Sequence, residues 1–148
     1  MLAYFPVPYQ DELLYSVIAR YGLHTGQVDN QKAILKDLYG KTSAVAIPDL
    51  PSHLECLREN VQTVWQVTVK EIIKRHTSAP IYLPFLRPIQ AKKIVNSMRS
   101  TQGGNIHTRC GISASSVPQP QYFRYCPICV NEQMDIIGEP YWQRSHQI

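Results

Sequence analysis

Phe123-Arg124-Tyr125-Cys126-Pro127-Ile128-Cys129, followed by Gly138-Glu139-Pro140-Tyr141-Trp142, is the stretch whose reading decides how the chain is organised. Two cysteines with two residues between them, one a proline, make a tight turn that aims both sulfurs at one point. A tetrahedral zinc ion needs that geometry, with sulfur roughly 2.3 Å from the metal. The pair is half of such a site. Cys-Pro-x-Cys also serves disulfide exchange, but that use wants a strand before the pair, a helix beginning at it and a βαβ pattern after it. Here the chain runs on through Val130-Asn131-Glu132-Gln133 and stops after Ile148, so Cys126 and Cys129 read as zinc ligands before they read as a redox pair.

Outward from that turn, the residues alone offer a complete ligand set. His107-x-x-Cys110 precedes Cys126-x-x-Cys129, and two such pairs separated by a loop make a plausible structural zinc site. His146 is also near enough in sequence to reach the metal. His53-x-x-Cys56 has the same spacing, but it lies on an expected helix beside an apolar stripe, where Cys56 reads as a small core residue.

Charge is distributed unevenly around the cysteine turn. Residues 1–71 carry six basic and eight acidic side chains. From Ile72 to Asn131 there is no Asp or Glu, while Lys74, Arg75, Arg87, Lys92, Lys93, Arg99, Arg109 and Arg124 lie inside. The net charge of +4 hides this segregation and the local positive field that it makes. Nucleic-acid phosphates are the usual counterpart; a solvated basic face or a dock for an acidic protein surface fits the same pattern. The 44% hydrophobic and 18% charged fractions are those of a globular protein. No apolar run approaches the roughly 20 residues of a membrane helix. The N-terminus lacks the features of a signal peptide, so the four cysteines read as reduced thiols or metal ligands in a cytosolic protein.

The apolar spacing predicts a mainly α protein. After the extended Pro6-Val7-Pro8-Tyr9, Asp11 is expected to cap a first helix with Leu14, Val17, Ile18 and Tyr21 inward, ended by Gly22 and Gly26. A second helix runs from about Asn30 to Tyr39, with Gly40 as its stop, and the two could form a helix-turn-helix. Ser52-x-x-Glu55 and Thr68-x-x-Glu71 read as capping boxes opening two more helices. His76 continues the stripe of the second and reads as a packed core histidine. Residues 79–88, with three prolines, are expected to be an extended connector pinned by Ile81, Leu83 and Phe85. A helix over 90–100 would then turn Ala91, Ile94, Val95 and Met98 inward, leaving Lys92, Lys93 and Arg99 in solvent for DNA.

These residues together resemble the TniQ/TnsD family of transposon target-selection proteins, and most closely its TnsD branch. The resemblance is carried by Pro6-Val7-Pro8 with Glu12 to Arg20, by Leu50-Pro51-Ser52-His53-Leu54, by His76-Thr77 with Pro80 to Phe85, and by Gly111 to Ser115. The most specific part is the cysteine turn with Gly138-Glu139-Pro140-Tyr141-Trp142-Gln143-Arg144. It implies a non-enzymatic adaptor, cytoplasmic and nucleoid-associated in a bacterium, that joins double-stranded target DNA to an AAA+ ATPase regulator and, through it, to the transposase. It also implies a helical, helix-turn-helix-like region over 1–118 and the start of a zinc-binding module over 119–148. In the family the Cys-Pro-x-Cys is completed by a Cys-x-x-His pair shortly after the Trp-x-Arg stretch, so the chain would hold half of a zinc-knuckle or zinc-ribbon site. The N-terminal part is the expected contact for the ATPase. Tyr4, Phe5 and Tyr9 in the proline-rich leader, which no local periodicity places in a core, are the candidate contacts.

Two other classes compete. A stand-alone zinc-containing transcription regulator would read DNA through the second helix, whose Gln31, Lys32 and Lys36 are accompanied by Asp37. A thiol oxidoreductase would use Cys126 and Cys129. No Ser-His-Asp set, phosphate loop, paired catalytic carboxylates or His-Glu-x-x-His motif accompanies them.

Overall fold

Helices do almost all of the building. The computed structural model describes residues 2–42, 48–100, 106–109 and 122–147. Along them run α1 (Leu14–His24), α2 (Gln31–Tyr39), α3 (Leu54–Val61), α4 (Val69–His76), α5 (Ala79–Tyr82), α6 (Pro88–Arg99), α7 (Ile106–Arg109) and α8 (Pro127–Ile136). Short 3₁₀ turns lie at Leu83–Phe85 and Arg144–Gln147. Among the described residues the only β pairing is an isolated antiparallel bridge between Glu12 and Gln143.

Helix α2 packs between α1 and α3, and α3 packs in turn on α4 and α6. Their stripes meet in one core: Leu14, Val17 and Tyr21 from α1, Ile34 and Leu38 from α2, Leu54, Leu57 and Val61 from α3, Ile72 from α4, Ile94 and Met98 from α6. These are the positions that the i, i+3, i+4 spacing selects. His76 is buried as expected; its Nδ1 meets the Glu12 carbonyl at 2.8 Å, and its ring stands edge-on to Trp65.

Helix ends depart from expectation where another partner, distant or adjacent, takes the capping side chain. Thr68 and Glu71 form the expected reciprocal box. Asn30 caps α2 by accepting from the Ala33 N–H, and Gly40 closes it at φ 67°. Asp11 does not cap α1, which begins at Leu14 without a side-chain cap. Its carboxylate is taken by the Ser145 N–H and Arg144 instead. Ser52 does not cap α3 either: His53, at φ 62°, holds that position and its Nδ1 pairs with the Ser52 hydroxyl at 2.7 Å, while Glu55 turns to Arg99 and Arg58. Gly22 does not end α1 but lies inside it, because Ile34 packs where a side chain would be; an added Cβ would sit 2.7 Å from Ile34 Cδ1. Residues 79–88 are not an extended connector. Pro80 and Pro84 fall in the first turns of α5 and the 3₁₀ turn, where a missing N–H leaves no bond unmade. Phe85 is 88% exposed and pins nothing.

The buried histidine makes stability pH-dependent. Burial lowers His76 from its ordinary 6.5, and burial also lowers His53. A histidine held neutral contributes stability that is present above 6.5 and lost as pH falls toward its folded value, because the unfolded chain then binds the proton more readily. Urea midpoints measured above and below 6.5 are expected to fall on acidification, and His76→Gln to remove its share of that slope.

Candidate functional site

The leader and the end of the chain are laced to the N-terminal turns of α1, and the lacing uses the residues of the most specific motif. Glu12 is wholly buried, yet its carboxylate accepts from the Tyr9 N–H at 2.9 Å, the Ser16 hydroxyl at 2.8 Å and Arg20 at 2.9 Å. Arg20 Nε donates to Glu139 at 2.8 Å, so one guanidinium bridges two carboxylates from distant parts of the sequence. The Tyr9 ring lies under Arg20, 4.1 Å from its guanidinium carbon, and the Tyr9 hydroxyl donates to Glu139 at 3.0 Å. Burial pushes the Glu12 carboxyl up from its ordinary value, against the pull of its three donors. Glu139 is held below the ordinary range: partial burial raises it, but the Tyr9 hydroxyl, Arg20 and His24 together outweigh that.

Beside this ionic knot runs a backbone seam. The Leu13 N–H donates to the Trp142 carbonyl at 2.9 Å, the Trp142 N–H to Ser16 Oγ at 3.1 Å and the Arg144 N–H to the Asp11 carbonyl at 2.8 Å. Phe123 packs between Tyr15 and Trp142, and Tyr125 stands edge-on to Trp142. Glu139-Pro140-Tyr141-Trp142 is thus the strip that fastens the cysteine helix to α1. Gln133 is the buried residue of α8, and its Oε1 accepts the Tyr141 N–H.

Cys126 is the N-cap residue of α8 and Cys129 sits one turn in, with Pro127 at the first helical position. A helix therefore does begin at the pair, one of the three features that disulfide exchange wants; no strand precedes it among the described residues. The N–H groups of Cys129 and Ile128 point at Cys126 and lower its pKa, while the hydrogen bond shared with Cys126 raises that of Cys129. Two sulfurs converging on one turn fit half of a tetrahedral site. Among the described residues no group of three His, Cys, Asp or Glu is placed to hold a metal. The His107 side chain and Cys110 lie outside the described residues. His146 Nδ1 is buried without a hydrogen-bond partner.

The basic candidates divide. Lys92 and Lys93 stand in solvent on the outer face of α6, opposite Ile94 and Met98. Arg99 is also exposed, but its Nε and Nη2 both bind Glu55, at 2.9 and 2.7 Å. The leader candidates divide too. Phe5 is 1% exposed, stacked on Trp65 at 5.8 Å and tilted against Tyr21, so it belongs to the core. Tyr9 is committed to the Arg20 knot. Tyr4 is 44% exposed, with its hydroxyl 2.5 Å from His24 Nδ1.

Sequence reasoning missed the Glu12–Arg20–Glu139 bridge. A carboxylate directly before an apolar stripe, with an arginine eight residues on, was its signal. A second feature was invisible: an open cleft of about 790 Å³ between the leader at Pro8 to Asp11, Trp65, the end of α4 at Arg75 and His76, and Arg144 with Ser145. No helix among the described residues is long and apolar enough to cross a membrane.

The family model TniQ matches residues 3–148, and the chain belongs to the TniQ family. It is 39% identical over 141 residues to the transposon Tn7 transposition protein TnsD of Escherichia coli. That alignment covers 95% of this chain, and the chain spans 28% of that protein's length.

Proposed function

We propose that the chain serves target-site selection in DNA transposition, as a non-enzymatic adaptor that links double-stranded target DNA to an AAA+ ATPase regulator and, through it, to the transposase. The observation that carries this reading is the likeness to a transposition protein across nearly the whole chain, with the Arg20 knot and the Glu139 to Trp142 strip inside the aligned family region. The test is transposition in cells with the parent transposon. Replacing this segment by that of an unrelated target selector should redirect or abolish insertion without changing transposase levels; unchanged insertion sites would sink the proposal.

DNA contact is assigned to the outer face of α6 and is expected to be weak and nearly indifferent to sequence. Lys92→Glu with Lys93→Glu should weaken duplex binding for all sequences and reduce the salt slope by about two, roughly one for each phosphate that is no longer neutralised. Arg99→Glu should do less, because Glu55 already neutralises that guanidinium. Titrations at several salt concentrations decide it, and strong preference for one sequence by this chain alone would favour a transcription regulator.

Zinc is assigned to Cys126 and Cys129, completed as the family resemblance implies by a Cys-x-x-His pair. This chain is then expected to retain zinc substoichiometrically, and Cys126→Ala to remove what it holds. A chain carrying the additional pair should bind one zinc tightly. Metal analysis that finds stoichiometric zinc in this chain, lost on Cys110→Ala, would move the site to His107 and Cys110.

A further inference from the structure

We propose that the cleft between the leader and the end of α4 is a binding site for a short, extended acidic peptide segment of a protein partner. Its walls carry unmatched chemistry of the right kind. Arg75 is exposed and makes no hydrogen bond or ion pair with another described residue, although it lines the cleft. Arg144 also lines the cleft, held by Asp11 at 3.1 Å and by the Lys74 carbonyl. Trp65, half-buried, adds apolar surface to the lining. A peptide carboxylate seated on Arg75 would gain a charge-assisted bond of the kind that a guanidinium makes in bidentate form.

The same walls disfavour nucleic acid. The last carbonyls of α4 offer acceptors to the cleft, and Asp11 is already paired with Arg144 and the Ser145 N–H. His76 adds an acceptor, since its Nδ1 is committed to the Glu12 carbonyl and leaves Nε2 without the proton. A phosphodiester brings only acceptors to such a surface. A peptide brings N–H donors for the acceptors and a carboxylate for the guanidinium. A cleft of about 790 Å³ holds a few residues and cannot admit a duplex, whose grooves receive protein elements rather than enter pockets. Arg75 lies near the start of the acid-free span from Ile72 to Asn131, one turn beyond Glu71.

This deepens the adaptor reading by assigning the chemistry of one protein contact, and binding can be measured without any transposition component. A failed transposition assay would thus sink the adaptor reading and leave this site standing. The full chain is titrated with an end-blocked hexapeptide of alternating glutamate and leucine, followed by tryptophan fluorescence and amide chemical shifts. Saturable binding with shifts at Trp65, Arg75 and Ser145 is expected, and no binding by the same peptide with lysine for glutamate. Arg75→Glu, at an exposed position, should leave the chain folded, with a small loss of melting temperature from the end of α4, and weaken binding by about tenfold or more. Ser145→Trp, which fills the cleft, should do the same without altering charge. The proposal is overturned if the acidic peptide gives no saturable shift, if Arg75→Glu binds it equally well, or if a short DNA duplex displaces it by shifting the same residues.

Discussion

Arg20→Ala is expected to destabilise the fold by about 3–5 kcal/mol. The reason is the partner left behind. Glu12 is fully buried, and without Arg20 its carboxylate keeps only the Tyr9 N–H and the Ser16 hydroxyl. Glu139 loses its guanidinium at the same time, and the Tyr9 ring loses the cation above it. Removing the charges together is a different matter, because a buried ion pair is often matched by a neutral isostere. Glu12→Gln combined with Arg20→Met is therefore expected to recover much of the loss, the Glu139 carboxylate turning to solvent, and urea denaturation of Glu12→Gln, Arg20→Met and the double, beside Arg20→Ala, measures it. A cycle showing simple additivity would mean that Arg20 acts through packing alone. The pH dependence has a definite sign. Glu139 is held below the ordinary carboxylate value of 4.5, so its contribution is present above 4.5 and lost as pH falls through its folded value. Glu12, raised by burial, works in the opposite direction just above 4.5. In Arg20→Ala the Glu139 share should shrink, leaving less stability to lose at the acid end.

Phe5→Ala is expected to cost about 3–5 kcal/mol, the range for a large aromatic removed from a packed core. Phe5 lies against both Trp65 and Tyr21, so its loss opens a cavity between the leader, α1 and the turn after α3. The result also sorts the leader's roles. Phe5→Ala should lower the unfolding midpoint, whereas Tyr4→Ala, at a 44% exposed position, should leave it nearly unchanged. If the leader contacts the AAA+ regulator, a pull-down with folded Tyr4→Ala protein should lose binding. Retained binding there would remove the leader's outer face from the contact. A stable Phe5→Ala protein would show the leader packs elsewhere in solution.

Much of this architecture was legible in the sequence because it is set by local spacing. The stripes Leu14, Val17, Tyr21 and Ile94, Met98 repeat at helical period, and apolar burial follows that period whatever the neighbours are. The Thr68 box and the Gly40 stop form within one or two turns of backbone and needed nothing else. His76 was legible as a packed residue for the same reason. The cysteine pair was read as a tight turn, whereas Pro127 opens a helix there with Cys126 as its N-cap.

Tertiary structure alone decided the rest, where a side chain had two possible partners of similar worth. Asp11 has the right chemistry to cap, yet a cap bond is worth only about 1 kcal/mol, and a distant backbone N–H or guanidinium can outbid it. Asp11 went to Ser145 and Arg144, more than a hundred residues away in sequence; Glu55 went to Arg99. Phe5 and Tyr9 carry no periodicity, because a short extended chain has no inner face until something is laid against it. The Arg20 bridge to Glu12 and Glu139 and the cleft beside Arg75 exist only once the two ends of the chain meet on α1, and no local spacing encodes that meeting.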